Sequence, residues 1–232
     1  MSVLGSGEIA ARVGTVRERV ERACARVGRD PAAVRLVAVS KTFGPEAVVE
    51  ALAAGVTDFG ENRVQEALGK QAVVAELAAA RGLSAPTWHL VGHLQSNKAR
   101  AAAGAFAILH GIDSVRLLDV LDRWAMSRPV RVLLEVNVAG EATKFGLAPS
   151  ELPAVVAHAR GLVGVELVGL MTVAPRVSDP EDVRPVFRRL ADLAWEHGLR
   201  ELSMGMTDDF EVAIEEGASM VRVGRAIFGG RR

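Results

Sequence analysis

The chain has 232 residues, of which 50% are hydrophobic and 24% charged, so it can bury a sizeable core and does not have the composition of a disordered protein. Lys plus Arg and Asp plus Glu number 28 each, and this balance gives no reason to expect a nucleic acid partner. The single cysteine, Cys24, excludes an internal disulfide and a cysteine-cluster metal site. No apolar run approaches the roughly 20 residues of a membrane span. Met1–Gly7 does not resemble a signal peptide, so we expect a cytoplasmic protein without membrane contact.

The hydrophobic spacing predicts one leading helix and then an alternation of strands and helices. Apolar residues within Ile9–Val27 recur every three or four positions, which is helical spacing, and Gly28 ends this helix. The continuous apolar run Leu36–Val39 is typical of a strand buried on both faces, as in a parallel sheet. A helical pattern at about Pro45–Ala54 follows it.

The same alternation continues to the end of the sequence. Further strands are predicted at Thr57–Gly60, Trp88–Gly92, Phe106–Ile112, Val130–Val138, Glu166–Val173, Glu201–Met204 and Met220–Val223. Further helices are predicted at Glu61–Arg81, Ser114–Met126, Pro149–Arg160, Glu181–His197 and Asp208–Glu216. Eight strands alternating with helices predict an α/β fold, a closed (β/α)8 barrel of the TIM type, with the open doubly wound sheet as the alternative. No linker-like segment divides the chain, so we expect one domain over residues 1–232.

A lysine directly follows the first predicted strand and its terminal serine. Because the active groups of such barrels collect at the carboxyl ends of the strands, Lys41 would lie in the barrel mouth, where desolvation lowers the pKa of an ammonium group. The neutral amine of a lysine attacks an aldehyde to form a Schiff base. Position alone leaves an alternative open, since lysines at such sites commonly extend their charge to solvent.

Two segments near the end of the chain predict a site for an anion. Ser203–Thr207 and Gly224–Ala226 each place small residues before a predicted helix. Phosphate sites after the last two strands recur in barrels, because free backbone N–H groups there point at the anion, and Ser203 would add a hydroxyl. The alternative is ordinary turn and capping chemistry. Together with Lys41, these segments favour a bound aldehyde phosphate.

Six ordered motifs resemble those of the pyridoxal phosphate homeostasis protein family. They are Leu36–Thr42, Phe59–Glu66, Trp88–Lys98, Gly169–Thr172, Leu202–Thr207 and Val221–Gly229. Their order and spread, from about residue 36 to residue 229, make the resemblance cover nearly the whole chain. The resemblance implies a fold similar to the barrel domain of bacterial alanine racemases, which are fold-type III proteins, without their second β domain.

The resemblance also implies a cofactor, pyridoxal 5′-phosphate (PLP), held as a Schiff base on Lys41. Other residues that it places near PLP are Asn62 and Met204 close to the cofactor, Ser203, Gly224 and Arg225 around the phosphate, and Arg222 facing the pyridine nitrogen. Two positions depart from the family pattern. The family commonly has Tyr where Arg63 stands, which removes any ring contact from that position, and Thr or Ser where Arg225 stands, which removes a hydroxyl.

The residue types favour a carrier over an enzyme. Racemases of this fold type use a tyrosine as their second base, and this chain has none. His93, Lys98 or Lys144 would have to replace it, and each has an ordinary structural interpretation. Arg222, because arginine stays protonated, would keep the pyridine nitrogen unprotonated and weaken the electron-withdrawing ring.

We therefore expect a PLP-binding protein of intracellular PLP homeostasis, with no catalytic residues and no metal. The alternatives are a small fold-type III amino-acid racemase and, third, a barrel enzyme that acts on a phosphorylated metabolite without PLP. Expected partners are PLP itself and PLP-dependent apoenzymes that receive it. A monomer is expected, since the missing β domain supplies much of the dimer contact in the racemases.

Overall fold

The fold is a closed barrel of eight parallel strands, each paired with the next in the sequence. The structure, a computed structural model, describes residues 6–125, 127–141 and 143–230. The strands are β1 (Arg35–Val39), β2 (Asp58–Glu61), β3 (Thr87–His93), β4 (Ile108–Ile112), β5 (Val130–Glu135), β6 (Val165–Met171), β7 (Glu201–Ser203) and β8 (Met220–Val223). β8 pairs with β1 and closes the sheet. This confirms the predicted barrel and excludes the open sheet.

Helices surround the barrel. They are α1 (Ser6–Arg26), α2 (Pro45–Ala53), α3 (Val64–Ala80), α4 (Ala99–Ala105), α5 (Val115–Trp124), α6 (Leu152–Arg160), α7 (Arg184–Glu196), α8 (Phe210–Glu215) and α9 (Arg225–Phe228). The leading helix α1 packs against α2, α8 and α9, so it covers the outside of the closure between β1 and β8. Within the described ranges, no helix has the length and apolarity to cross a membrane.

Two differences from the sequence prediction, at the ends of elements, have clear physical reasons. The helix expected from Glu61 begins at Val64 because Glu61 pairs with Leu90 as the last residue of β2. The strand expected to reach Val138 ends at Glu135, since Asn137 instead closes a turn through two hydrogen bonds between its side-chain amide and the backbone of Glu141.

Helix α4 was not predicted from the sequence, because its alanine-rich run carries no apolar periodicity. The strand expected to begin at Phe106 begins at Ile108, since Phe106 still bonds back to Ala102 at the end of α4. The helix expected over Ser114–Met126 ends at Trp124. Met126 itself lies outside the described residues.

The strand register determines which residues point into the barrel. Val37 pairs with Asp58 and with Arg222, and paired residues of neighbouring strands share a face. A small apolar cluster fills part of the interior: Val37, Ile108, Leu133, Met171 and Met220. The larger apolar cluster lies between the outward faces of the strands and the helices. Other interior positions carry buried polar side chains, among them His89, His110 and Arg222.

Gly169 is required by the close approach of two strands. A Cβ built at this position in β6 would lie 1.8 Å from the carbonyl oxygen of Glu201 in β7. We predict that Gly169→Ala lowers the free energy of unfolding by more than about 3 kcal/mol, measured by urea denaturation, because the strands must separate to admit the methyl group. Gly69→Ala, in α3 where a Cβ meets nothing within 4 Å, is the control and should stabilise by about 0.5–1 kcal/mol. Equal effects of the two substitutions would contradict this packing.

Candidate functional site

Lys41 lies in a turn at the carboxyl end of β1, and hydrogen bonds fix the turn on both sides of it. The hydroxyl of Ser40 donates to Glu61 Oε1 at 2.7 Å. Lys70 Nζ donates to the same oxygen at 2.7 Å and to the carbonyl oxygen of Ser40 at 2.9 Å. On the other side, the N–H of Thr42 donates to Glu66 Oε1 at 3.0 Å, and Thr42 adopts a φ of 69°. The half-buried Lys41 is therefore presented from a rigid turn.

Barrel closure places this turn beside the loop that follows β8. A Cβ on Gly224 would lie 3.2 Å from the carbonyl oxygen of Val39, so a glycine allows the two backbones to approach. The rings of Phe43 and Phe228 stack with centroids 5.2 Å apart. The structure thus brings together the two segments from which the sequence predicted a Schiff-base lysine and an anion site.

Arg222 is a buried cation that is held by neutral acceptors. Its Nη1 donates to Ser203 Oγ at 2.7 Å and its Nη2 to the carbonyl oxygen of Thr172 at 2.8 Å. Burial lowers the pKa of Arg222 to about 10, against the attraction of Glu135 and Asp209. The guanidinium is therefore charged at neutral pH, and it points from β8 into the barrel.

Ser203 and Met204, which the family resemblance places near the phosphate and the cofactor, are both fully buried. Ser203 is fully buried, and its hydroxyl is already shared between Arg222 and His110 Nδ1, the latter at 2.8 Å. These contacts let the hydroxyl support Arg222, and its contact with a phosphate stays a prediction. Met204 is also fully buried and belongs to the apolar cluster outside the barrel, which favours a packing role.

The remaining candidates lie at the carboxyl end of the barrel. Asn62 directly follows β2, and a Cβ on Gly92 would lie 2.5 Å from its carbonyl oxygen. Arg225 is exposed, and its side chain pairs with Asp208 of the loop after β7. Arg63 is exposed at the start of α3. The structure therefore leaves the backbone at Arg225, and not its side chain, next to Gly224 for contact with an anion.

The chain is similar to known proteins over nearly its whole length. The family model for the N-terminal domain of alanine racemase matches residues 12–232. A relative from Pseudomonas aeruginosa, named pyridoxal phosphate homeostasis protein, is 44% identical over 227 residues, which are 96% of each chain. The chain belongs to the pyridoxal phosphate homeostasis protein family. Its resemblance to that family in six motifs is therefore confirmed.

Two solved structures describe the family fold and its wider relations. PipY of Synechococcus elongatus PCC7942, solved with PLP bound, matches with a TM-score of 0.80 and 37% identity over 95% of this chain and 100% of PipY. The alanine racemase of Corynebacterium glutamicum matches with a TM-score of 0.69 over 97% of this chain and 62% of the racemase, at 19% identity. The second match shows a shared fold only.

Two of the three residues considered as replacements for a second base, His93 and Lys144, have side-chain partners in this family member. His93 Nδ1 lies 3.2 Å from Asp113 Oδ2, and its ring stacks on Phe145 with centroids 4.2 Å apart. Lys144 pairs with Glu141 at 2.6 Å. Lys98 precedes α4 at the end of a short 3₁₀ helix. The contacts of His93 and Lys144 agree with a structural interpretation of these two residues.

Three interior residues of this family member were not identified from the sequence. They are Glu135, His89 and His110, all buried and all directed into the barrel by the strand register. The signal available in the sequence was a polar residue inside each of three apolar strands. It gives no partner for any of them, because partners across a barrel depend on the register.

Glu135 is a buried acid at the end of β5 that titrates near neutrality. Burial raises its pKa to about 7, and the charge of Asp113 also raises it, against the attraction of Arg222. The carboxyl of Glu135 is therefore protonated at mildly acidic pH. Within the described part of the chain, no cluster of three or more His, Cys, Asp or Glu residues is suited to a metal ion.

The raised pKa of Glu135 predicts a pH-dependent stability. Between pH 4.5 and about 7 the unfolded chain loses this proton while the folded protein retains it, so folding becomes less favourable as pH rises through this window. Glu135→Gln should remove on the order of 3 kcal/mol of that pH dependence, measured by urea denaturation of cofactor-free protein at pH 5 and pH 8. Glu76→Gln, on an exposed position of α3, is the control. Parallel pH dependence in wild type and Glu135→Gln would contradict the assignment.

Proposed function

We propose that this protein binds PLP as a Schiff base on Lys41, and that it holds and passes on the cofactor without turning over a substrate. The observation that carries the proposal is the adjacency of the Lys41 turn and the Gly224 loop across the barrel closure. The family supports it, since the Pseudomonas aeruginosa relative is named for PLP homeostasis and PipY was solved with PLP.

The residues present fit the chemical groups of PLP. Lys41 provides an amine, from a turn that hydrogen bonds hold in place. Gly224 leaves the backbone before α9 uncovered by a side chain, and the N–H of Arg225 there has no intrahelical acceptor because it opens a helix. Arg222 supplies a fixed cation for the pyridine nitrogen. We propose these residues, with the backbone of Asn62 at the rim and Ser203 behind Arg222, as the cofactor site.

The carrier function is favoured over a racemase by the charge of Arg222 and by the lack of a tyrosine. When bound, PLP supplies an aldehyde for the linkage and an electron-withdrawing ring. An arginine with a pKa of about 10 donates to the pyridine nitrogen and leaves it unprotonated, which weakens electron withdrawal. A second base opposite Lys41 would have to come from His93, Lys98 or Lys144, and of these His93 and Lys144 have other partners. We further propose a monomer in the cytoplasm whose recipients are PLP-dependent apoenzymes.

Lys41→Ala should abolish the covalent adduct. After PLP addition and borohydride reduction, we expect intact mass spectrometry to show one pyridoxyl group on the wild type and none on Lys41→Ala, because the amine that forms the linkage is gone. Lys144→Ala is the matched control and should retain the adduct. A stoichiometric adduct on Lys41→Ala that disappears in Lys41→Ala/Lys144→Ala would move the linkage to Lys144.

A second measurement separates carrier from racemase. The PLP-loaded protein is incubated with D- or L-alanine in deuterium oxide, and exchange at Cα is followed by proton NMR. We expect exchange no faster than with free PLP at the same concentration. Rapid exchange from both enantiomers would overturn the carrier function in favour of the racemase. If no adduct forms in the wild type, the third alternative, a barrel enzyme for a phosphorylated metabolite, is favoured instead.

A further inference from the structure

A continuous line of hydrogen bonds crosses the barrel interior from Asp58 to Arg222. Asp58 Oδ1 lies 3.0 Å from His89 Nε2, and His89 Nδ1 lies 2.9 Å from His110 Nε2. His110 Nδ1 lies 2.8 Å from Ser203 Oγ, which accepts from Arg222 at 2.7 Å. We call these five residues the interior chain. Its members come from β2, β3, β4, β7 and β8, so it connects five of the eight strands through the interior.

The chemistry of the two ends sets the direction of every bond in the interior chain. Arg222 only donates, so Ser203 Oγ accepts from it, and the Ser203 hydroxyl proton is directed to His110 Nδ1 when the single proton of His110 faces His89. Neutral His110 then carries its proton on Nε2 and donates to His89 Nδ1. His89 carries a proton on Nε2 and donates it to Asp58, whose carboxylate only accepts. We assign both tautomers from these partners, and in this assignment every donor in the interior chain meets one acceptor.

The surroundings maintain this direction. Burial lowers the pKa of His110 well below its usual value, the charges of Arg222 and Arg35 act in the same sense, and a second proton on His89 would do so too, so His110 stays neutral. Burial tends to raise the pKa of Asp58, but hydrogen bonds from His89 and Thr57 lower it on balance, so the carboxylate remains charged. An anion at one end and a cation at the other polarise the neutral links between them.

We propose that His110 and Ser203 are positioning residues for Arg222, and that Asp58 and His89 keep them in one tautomeric arrangement. This inference rests on the proposed PLP site, because its consequence is the orientation of the guanidinium toward the pyridine nitrogen. Asp58, which lies at the opposite end of the strands from Lys41, would then affect cofactor binding. If the interior chain were only structural, its groups would need hydrogen-bond partners but no single tautomeric arrangement.

The first test uses cofactor-free protein. Nitrogen-15 NMR of labelled histidine should show the proton on Nε2 of both His89 and His110 in the wild type. Ser203→Ala and Asp58→Ala should each give a tautomer mixture at His110, and Ser203→Ala should also speed hydrogen exchange of the Arg222 guanidinium. Asp58→Asn should restore the single tautomer, since its amide oxygen still accepts from His89. Asp119→Asn, which changes a His–Asp pair on the helical surface, is the matched control.

The second test measures PLP affinity of the same variants. Ser203→Ala and Asp58→Ala should raise the PLP dissociation constant about tenfold, because a buried donor loses its fixed acceptor, while Asp58→Asn and Asp119→Asn remain within about twofold of wild type. An Nδ1 proton on wild-type His110, or unchanged guanidinium exchange in Ser203→Ala, would overturn the inference whether or not PLP binds. Wild type that takes up no PLP would instead overturn the proposed function.

Discussion

The parallel pairing of β1 with β8 joins Val37 to Arg222 and Ala38 to Val223. This closure brings the first strand of the sequence against the last, and the turn that carries Lys41 against the loop at Gly224. An open sheet would leave these segments at opposite edges. The helix α1 supports the closure from outside, where it packs against α8 and α9, and the stacked rings of Phe43 and Phe228 connect the loops above it.

The second determinant of the site is the burial of a positive charge. Burying an unpaired charge is unfavourable. Two neutral acceptors, Ser203 and Thr172, stabilise the guanidinium of Arg222 in place of a hydrogen-bonded carboxylate. The nearest acids respond to the same environment, since burial raises the pKa values of Glu135 and Asp209. The interior therefore retains a cation that can meet a ring nitrogen without transferring a proton to it. This favours holding PLP over using it for carbanion chemistry.

The sequence allowed prediction of the barrel because strands of a parallel sheet are buried on both faces and read as apolar runs. It also allowed prediction that Lys41 and Gly224 lie at the same end of the barrel, because both follow such runs, whereas their contact with PLP stays a prediction. The helix α4 escaped prediction, since its small residues show no apolar periodicity. Ser203 accepts a hydrogen bond from Arg222, and Met204 packs outside the barrel. These placements depend on which face of the sheet each residue occupies and on its partners across the barrel. His89, His110 and Glu135 were missed for the same reason, since their partners follow from the strand register.

The most direct measurement of the central claim is the location of the PLP linkage in the wild-type protein. Protein loaded with one equivalent of PLP is reduced with borohydride, digested and mapped by tandem mass spectrometry. The account predicts a pyridoxyl group on Lys41, in the peptide that follows β1, at near-stoichiometric yield. A modification found mainly on Lys144 or Lys98, or spread over exposed lysines with Lys41 unmodified, would contradict it.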